Sequence, residues 1–139
     1  MRDCVSARLK NNSQVAKYRN YLYLCIKQIG LGYFKTIFLE SADEFLKTLD
    51  IKSHKKLFYN VRIAEKTNDP KLFKKLNNEI WEFRVRFSNK QIRLLAFWDK
   101  RSKKDTLVIA TNGFIKKAQK TAKKEINKAE QIRKDYFNE

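Results

Sequence analysis

Between residues 81 and 87 the chain alternates with a period of two. Trp81, Phe83, Val85 and Phe87 are large and apolar, and Glu82, Arg84 and Arg86 stand between them. In a β-strand successive side chains point to opposite faces, so the four apolar groups share one side of a sheet and the three charged groups share the other. A sheet that buries one face and shows a row of guanidinium groups on the other is suited to phosphate. The pattern continues downstream. Ser88-Asn89-Lys90 reads as a turn, Gln91–Trp98 as a second strand carrying Arg93, Asp99–Asp105 as a charged turn, and Thr106–Thr111 as a third strand. The run Leu107-Val108-Ile109-Ala110 is apolar on both sides, which places that strand centrally or under cover on both faces. A loop opening at Gly113 then holds Lys116, Lys117 and Lys120.

Upstream, Tyr33–Glu40 is aromatic and β-branched and reads as a strand. Ser41 with Glu44 three residues on has the form of a capping box, followed by the apolar stripe Phe45, Leu46 and Leu49. A second helix is expected over Ser53–Thr67, with Leu57, Phe58, Val61 and Ala64 at helical spacing. Asp69-Pro70 opens a short turn in which Leu72, Phe73 and Leu76 pack. Thr121 is placed to cap a last helix over Ala122–Phe137, whose apolar positions are Ile126, Ala129, Ile132 and Tyr136. The order strand-helix-helix-strand-strand-strand-helix predicts an α+β fold: a small antiparallel sheet with helices packed mainly on one face. Residues 33–139 form this domain. Residues 1–32 read as an N-terminal extension, with Ser13 placed to cap a helix over Gln14–Gln28 that stops at Gly30.

The chain has 139 residues and a formal net charge of +17. Its 10 Phe, 6 Tyr and 2 Trp separate it from a disordered basic tail. A potential of this sign and size attracts a polyanion, nucleic acid first, or an acidic protein that neutralises it. The charge is uneven: residues 71–104 carry 11 basic and 3 acidic side chains, whereas 33–70 carry 7 and 6. Cation therefore accumulates on the strands. Two cysteines, Cys4 and Cys25, make no disulfide framework and fit a reducing, cytoplasmic setting. With His54 they are too few for a structural zinc site. No run of residues has the length and apolarity of a membrane span, and no signal peptide is evident.

Arg84 and Arg86 lie two apart on one strand face, and Arg93 reaches the same area from the next strand. Guanidinium binds phosphate through a two-pronged fork and stays charged at any working pH. The alternative is a solvated strand face with Glu82 as a local partner. The lysine loop, alone, also reads either as solvated or as a wall facing the arginines; together the two make a cationic cleft. His54 reads as an ordinary surface histidine. Trp98 and Phe114 could stack on bases but read better as core. No P-loop, GxGxxG or Ser/His/Asp arrangement is present.

Trp81-Glu82-Phe83-Arg84-Val85, Ile92-Arg93 followed by an apolar strand with Phe97, and Gly113-Phe114-Ile115-Lys116-Lys117 running on through Gln119-Lys120-Thr121 to Glu125-Ile126 resemble, in joint order and spacing, toxins of the RelE/ParE superfamily in its HigB-like, phage-derived branch. The resemblance covers about residues 33–139. Two departures are Ala122, where the family often has Pro, and the extra residues 1–32. The resemblance implies a toxin of a type II toxin–antitoxin system, acting as a ribosome-dependent mRNA endonuclease without metal or other cofactor. The ribose 2′-hydroxyl attacks the adjacent phosphorus. The implied partners are a helix-turn-helix antitoxin encoded nearby and mRNA on the ribosome. By motif position Arg84, Arg93 and Lys117 are the expected catalytic groups, and Arg86, Lys116, Gln119 and Lys120 the expected RNA contacts. With no histidine or acid expected in the cluster, proton transfer falls to a lysine of lowered pKa or to the geometry of the bound RNA. The alternatives are a ParE-like, non-enzymatic inhibitor of a replication enzyme and a nucleic-acid-binding relic.

Overall fold

A computed structural model describes residues 32–139. The expected helix over Gln14–Gln28 and both cysteines lie outside the described residues. The elements are β1 (Lys35–Phe38), α1 (Glu40–Thr48), α2 (Ile51–Thr67), β2 (Phe73–Lys75), β3 (Trp81–Phe87), β4 (Lys90–Asp99), β5 (Leu107–Ile115) and α3 (Lys123–Phe137). The fold is α+β, and the strands form one sheet in the order β1-β5-β4-β3-β2. From β1 at one edge the chain crosses to the other through α1 and α2, and returns as an antiparallel meander. That return lays β5 parallel to β1, the one parallel pairing in the sheet.

The meander explains the apolar run in β5. Flanked by β1 and β4, this strand is buried on both faces: Val108 and Ala110 pack toward α1 and α2, and Leu107 and Ile109 pack toward α3. Helices α1 and α2 share one face, over Phe38, Phe83, Val85, Ile92 and Leu94. α3 takes the other, with Ala129, Ile132, Tyr136 and Phe137 against Ile80, Leu95, Phe97 and Ile109. It covers only part of that face and leaves the end carrying Arg84 and Arg86 uncovered.

Several local expectations are corrected. Ser41 caps nothing, because α1 begins directly after β1: the N-cap is Leu39, whose own N–H is bonded to the Ala110 carbonyl, and Ser41 lies inside the first turn. α2 begins two residues before Ser53, since Asp50 is its cap and accepts from the Ser53 N–H and hydroxyl. The segment after Pro70 turns as expected but then adds β2 at the sheet edge, where Phe73 pairs with Phe83. The strand read as ending at Thr111 runs on to Ile115, so Gly113, Phe114 and Ile115 are ladder residues rather than loop.

A bulge makes that continuation useful. Leu94 pairs with Gly113 and Ala96 with Ala110, so Leu95 faces both Thr111 and Asn112. The extra residue resets the alternation. Asn112 turns to α3 and donates to the Glu125 carboxylate (3.1 Å), Gly113 turns to α1, and Phe114 returns to the α3 face. Gly113 is required by contact: a Cβ there would sit 2.6 Å from Cε2 of Phe45. The β3–β4 hairpin closes through Ser88 and Asn89, both at positive φ (53° and 62°), a two-residue turn whose twist suits the strands.

Candidate functional site

The two-residue turn fixes register, and register sets the site. Phe87 pairs with Lys90, so Arg86 pairs with Gln91 and Arg84 with Arg93. Two arginines directly opposite on one sheet face repel unless a counter-charge lies between them. Glu82 supplies it. Its carboxylate lies 3.6 Å from Nε of Arg84 and 3.7 Å from Nε of Arg93, and it accepts a hydrogen bond of 3.3 Å from the Thr121 hydroxyl. An acid therefore does sit in the cluster, where the proton-transfer reading expected none and only the solvated-face alternative gave Glu82 as a local partner. It is buried, at 3% exposure.

The three arginines are not equivalent. Arg93 is 4% exposed, and its Nη1 and Nη2 donate to the Ile92 carbonyl (3.1 Å) and the Gln91 Oε1 (3.0 Å). Burial pushes its pKa down; Glu82 opposes that, and the neighbouring charges of Arg84 and Arg86 add to it. Its fork is engaged by the protein itself. The Arg84 side chain is 36% exposed and is held by Glu82 through Nε, which leaves its terminal nitrogens for an outside ligand. Arg86 is exposed at the strand end.

The lysine loop joins this face at both ends. The Lys116 N–H donates to the Gln91 carbonyl (2.7 Å), extending the β4–β5 ladder by one residue beside Arg93. At the other end Thr121 is anchored on Glu82. Lys117, Gln119 and Lys120, all exposed, are strung between the two anchors. Thr121 was expected to cap α3; the N-cap is Ala122 with no side-chain bond, because the threonine hydroxyl is committed to Glu82. The fold thus gathers Arg84, Arg86 and Arg93 on one face and sets the Lys116–Lys120 loop beside it.

His54 is not a surface residue. It is fully buried between α1 and α2, its Nδ1 within 3.1 Å of the Leu46 carbonyl and its ring edge-on to Phe58. Burial lowers its pKa from 6.5 to about 4, against the opposing bond to Leu46. It takes no part in the arginine cluster. Trp98 and Phe114 are half-buried and packed against the two cores, as expected of them. The central place of Glu82 was the feature not foreseen. The signal was available in the two-residue turn, which implies the pairing of Arg84 with Arg93 and hence the need for an acid between them.

Among the described residues no helix is long and apolar enough to cross a membrane. The model of one protein family, described as Phage derived protein Gp49-like (DUF891), matches residues 44–134, a span that runs from α1 into α3 and contains the whole arginine face and the lysine loop. That family is associated with the toxins of toxin–antitoxin systems. No curated protein matches the chain.

Proposed function

The chain belongs to the phage-derived Gp49-like family, and from that premise we propose that it is the toxin of a type II toxin–antitoxin pair, an endoribonuclease of the HigB-like branch that cuts mRNA on the ribosome. The observation that carries the reading is the Arg84–Arg93 pair built around the buried Glu82, with a lysine loop anchored to the same group. In this chemistry the ribose 2′-oxygen forms a bond to the adjacent phosphorus and the bond from phosphorus to the 5′-oxygen breaks. One proton leaves the 2′-hydroxyl and one reaches the departing 5′-oxygen. Negative charge builds on the non-bridging oxygens, and preset donors aimed at that charge are the main source of rate.

Arg84 supplies those donors through its free fork, and Arg86 holds the neighbouring backbone. Arg93, engaged and buried, serves as a positioning residue: with Glu82 it fixes the direction of Arg84. Lys117 is the candidate donor to the 5′-oxygen, with Lys116, Gln119 and Lys120 lining the RNA on the loop side. The partners are mRNA in the cytoplasm and an antitoxin of helix-turn-helix type whose acidic side chains offset the +17 surface.

Induction of the wild-type chain is expected to arrest growth and to create new 5′ ends within translated messages. A folded Arg84→Ala variant loses about a hundredfold to a thousandfold in cleavage rate and permits growth. Full toxicity of that variant overturns the assignment. Arrest with intact messages and a DNA-damage response assigns the chain to the non-enzymatic, replication-directed alternative.

A further inference from the structure

The arginine face accounts for only part of the excess cation. A second concentration lies on the opposite face of the sheet, at the opposite end of the strands. Lys75 pairs with Trp81 across β2 and β3, so both side chains point to the α1–α2 face. The Trp81 ring meets Trp98 edge-on at 5.6 Å, and the Lys100 ammonium lies 4.9 Å over Trp98. Lys75, Trp81, Trp98 and Lys100 therefore form a continuous ledge across three strands. Both indoles are half-buried at the margin of the core: Trp81 stacks one face on Phe73 (5.0 Å) and Trp98 meets Phe34 edge-on (5.2 Å), so only the outer part of each ring is in solvent.

The loop after β4 adds Lys103 and Lys104, both exposed. The acids that flank it are engaged elsewhere: Asp99, the last residue of β4, is bonded to Arg101 and Tyr136, and Asp105 pairs with Lys35. None of the lysines at positions 75, 100, 103 and 104 has an ion pair among the described residues. Lys100, the residue after β4, is seven positions on from Arg93, about 23 Å at strand rise, so one phosphate cannot bridge the two sites.

Lysines without a carboxylate partner among the described residues, set beside the part-exposed margins of two indoles, are the components of a single-strand nucleic-acid platform, in which lysines follow the backbone and aromatic surface receives bases. An acidic protein segment would use the lysines but has no need of the indoles. We propose that the Lys75–Trp81–Trp98–Lys100 ledge, with Lys103 and Lys104, is a second contact site for single-stranded RNA, separate from the Arg84 face. The inference rests on the RNA reading above for the class of ligand, but not on cleavage.

The chain carries its own reporter, because its only two tryptophans are Trp81 and Trp98. The probe is a short single-stranded oligoribonucleotide, end-labelled and 2′-O-methylated so that no hydroxyl can attack. Titrated into the full chain, it should quench tryptophan emission saturably, in step with the rise in its own anisotropy. Lys75→Ala/Lys100→Ala/Lys103→Ala should keep the wild-type circular dichroism, bind about tenfold or more weakly, and flatten the log affinity–log salt slope by about 2. If anisotropy rises while emission stays constant, the triple variant binds like wild type, and only Arg84→Ala weakens the complex, the ledge is overturned and the cleft stands. Failure of the wild type to bind the oligonucleotide under any salt condition overturns both. Quenching by poly-glutamate but not by RNA overturns the ledge as an RNA site and identifies an acidic protein as its partner.

Discussion

Glu82→Gln removes one charge and almost no volume from the centre of the arginine face. Glu82 and Arg93 are 3% and 4% exposed, so the substitution leaves a buried guanidinium without its counter-ion. Breaking such a pair from one side costs about 3–5 kcal/mol. Arg93 keeps its bonds to the Ile92 carbonyl and to Gln91, which places the expected loss at the lower end, about 3 kcal/mol. Arg84, far more exposed, adds under about 1 kcal/mol. For a domain of this size the total, about 3–4 kcal/mol, lowers Tm by roughly 10–20 °C. The assay is urea and thermal denaturation of the wild type, Glu82→Gln, Arg93→Met and the double variant Glu82→Leu/Arg93→Met. The double variant should lie near wild-type stability, since apolar replacement of both partners spares their desolvation, while its RNA cleavage falls with the loss of Arg84 orientation. A Glu82→Gln protein less than about 1 kcal/mol below wild type would refute the claim that this carboxylate offsets a buried charge. Additive single variants would refute the coupling between the two residues.

Two buried groups give stability opposite slopes with pH. His54, lowered from 6.5 to about 4, contributes stability that is complete above pH 6.5 and is lost as pH falls through 4. Glu65 is raised from 4.5 to about 7 by burial, against the Thr36 N–H bond to its carboxylate and the charges of Arg62 and Lys35. Its contribution is complete below pH 4.5 and is lost as pH rises through 7. Glu65→Gln should therefore gain up to about 3 kcal/mol relative to wild type between pH 5 and pH 8, read from urea midpoints; a constant difference across that range would contradict it. Gly113→Ala should cost about 1–3 kcal/mol by driving a methyl into Phe45, and Phe45→Leu should restore much of the loss in the double variant; equal losses with and without Phe45 would count against the contact. Tyr136→Phe removes the hydroxyl that donates to the buried Asp99 at 2.8 Å, for about 1.5 kcal/mol, and should speed amide exchange in α3; unchanged protection there would rule out the bond as an anchor of that helix.

Much of the fold was legible because period-two and period-3.6 patterns are local. β3, β4, α2 and α3 appear within two residues of where their apolar spacing puts them, and the central place of β5 follows from its unbroken apolar run. Misreadings arose where a side chain has two uses. Ser41 and Thr121 have the chemistry of caps, but one falls inside α1 and the other is drawn to a carboxylate 39 residues away. His54, flanked by Lys55, has a hydrophilic neighbourhood in the chain and an apolar one in space, because the two lie on different sides of α2. β2 is three residues long, too short to carry a pattern.

The chain alone determined that a row of guanidinium groups would oppose a core face, since alternation in an extended strand leaves no other arrangement. It also determined the sign and place of the charge. Which arginine meets a ligand and which supports it was decided only in three dimensions. Arg84 and Arg93 are the same residue type in similar strand settings, and they differ because the return of β5 and the closure of Thr121 on Glu82 bury one and leave the other part-exposed. Burial is a property of what the rest of the chain places nearby, and no local spacing encodes it.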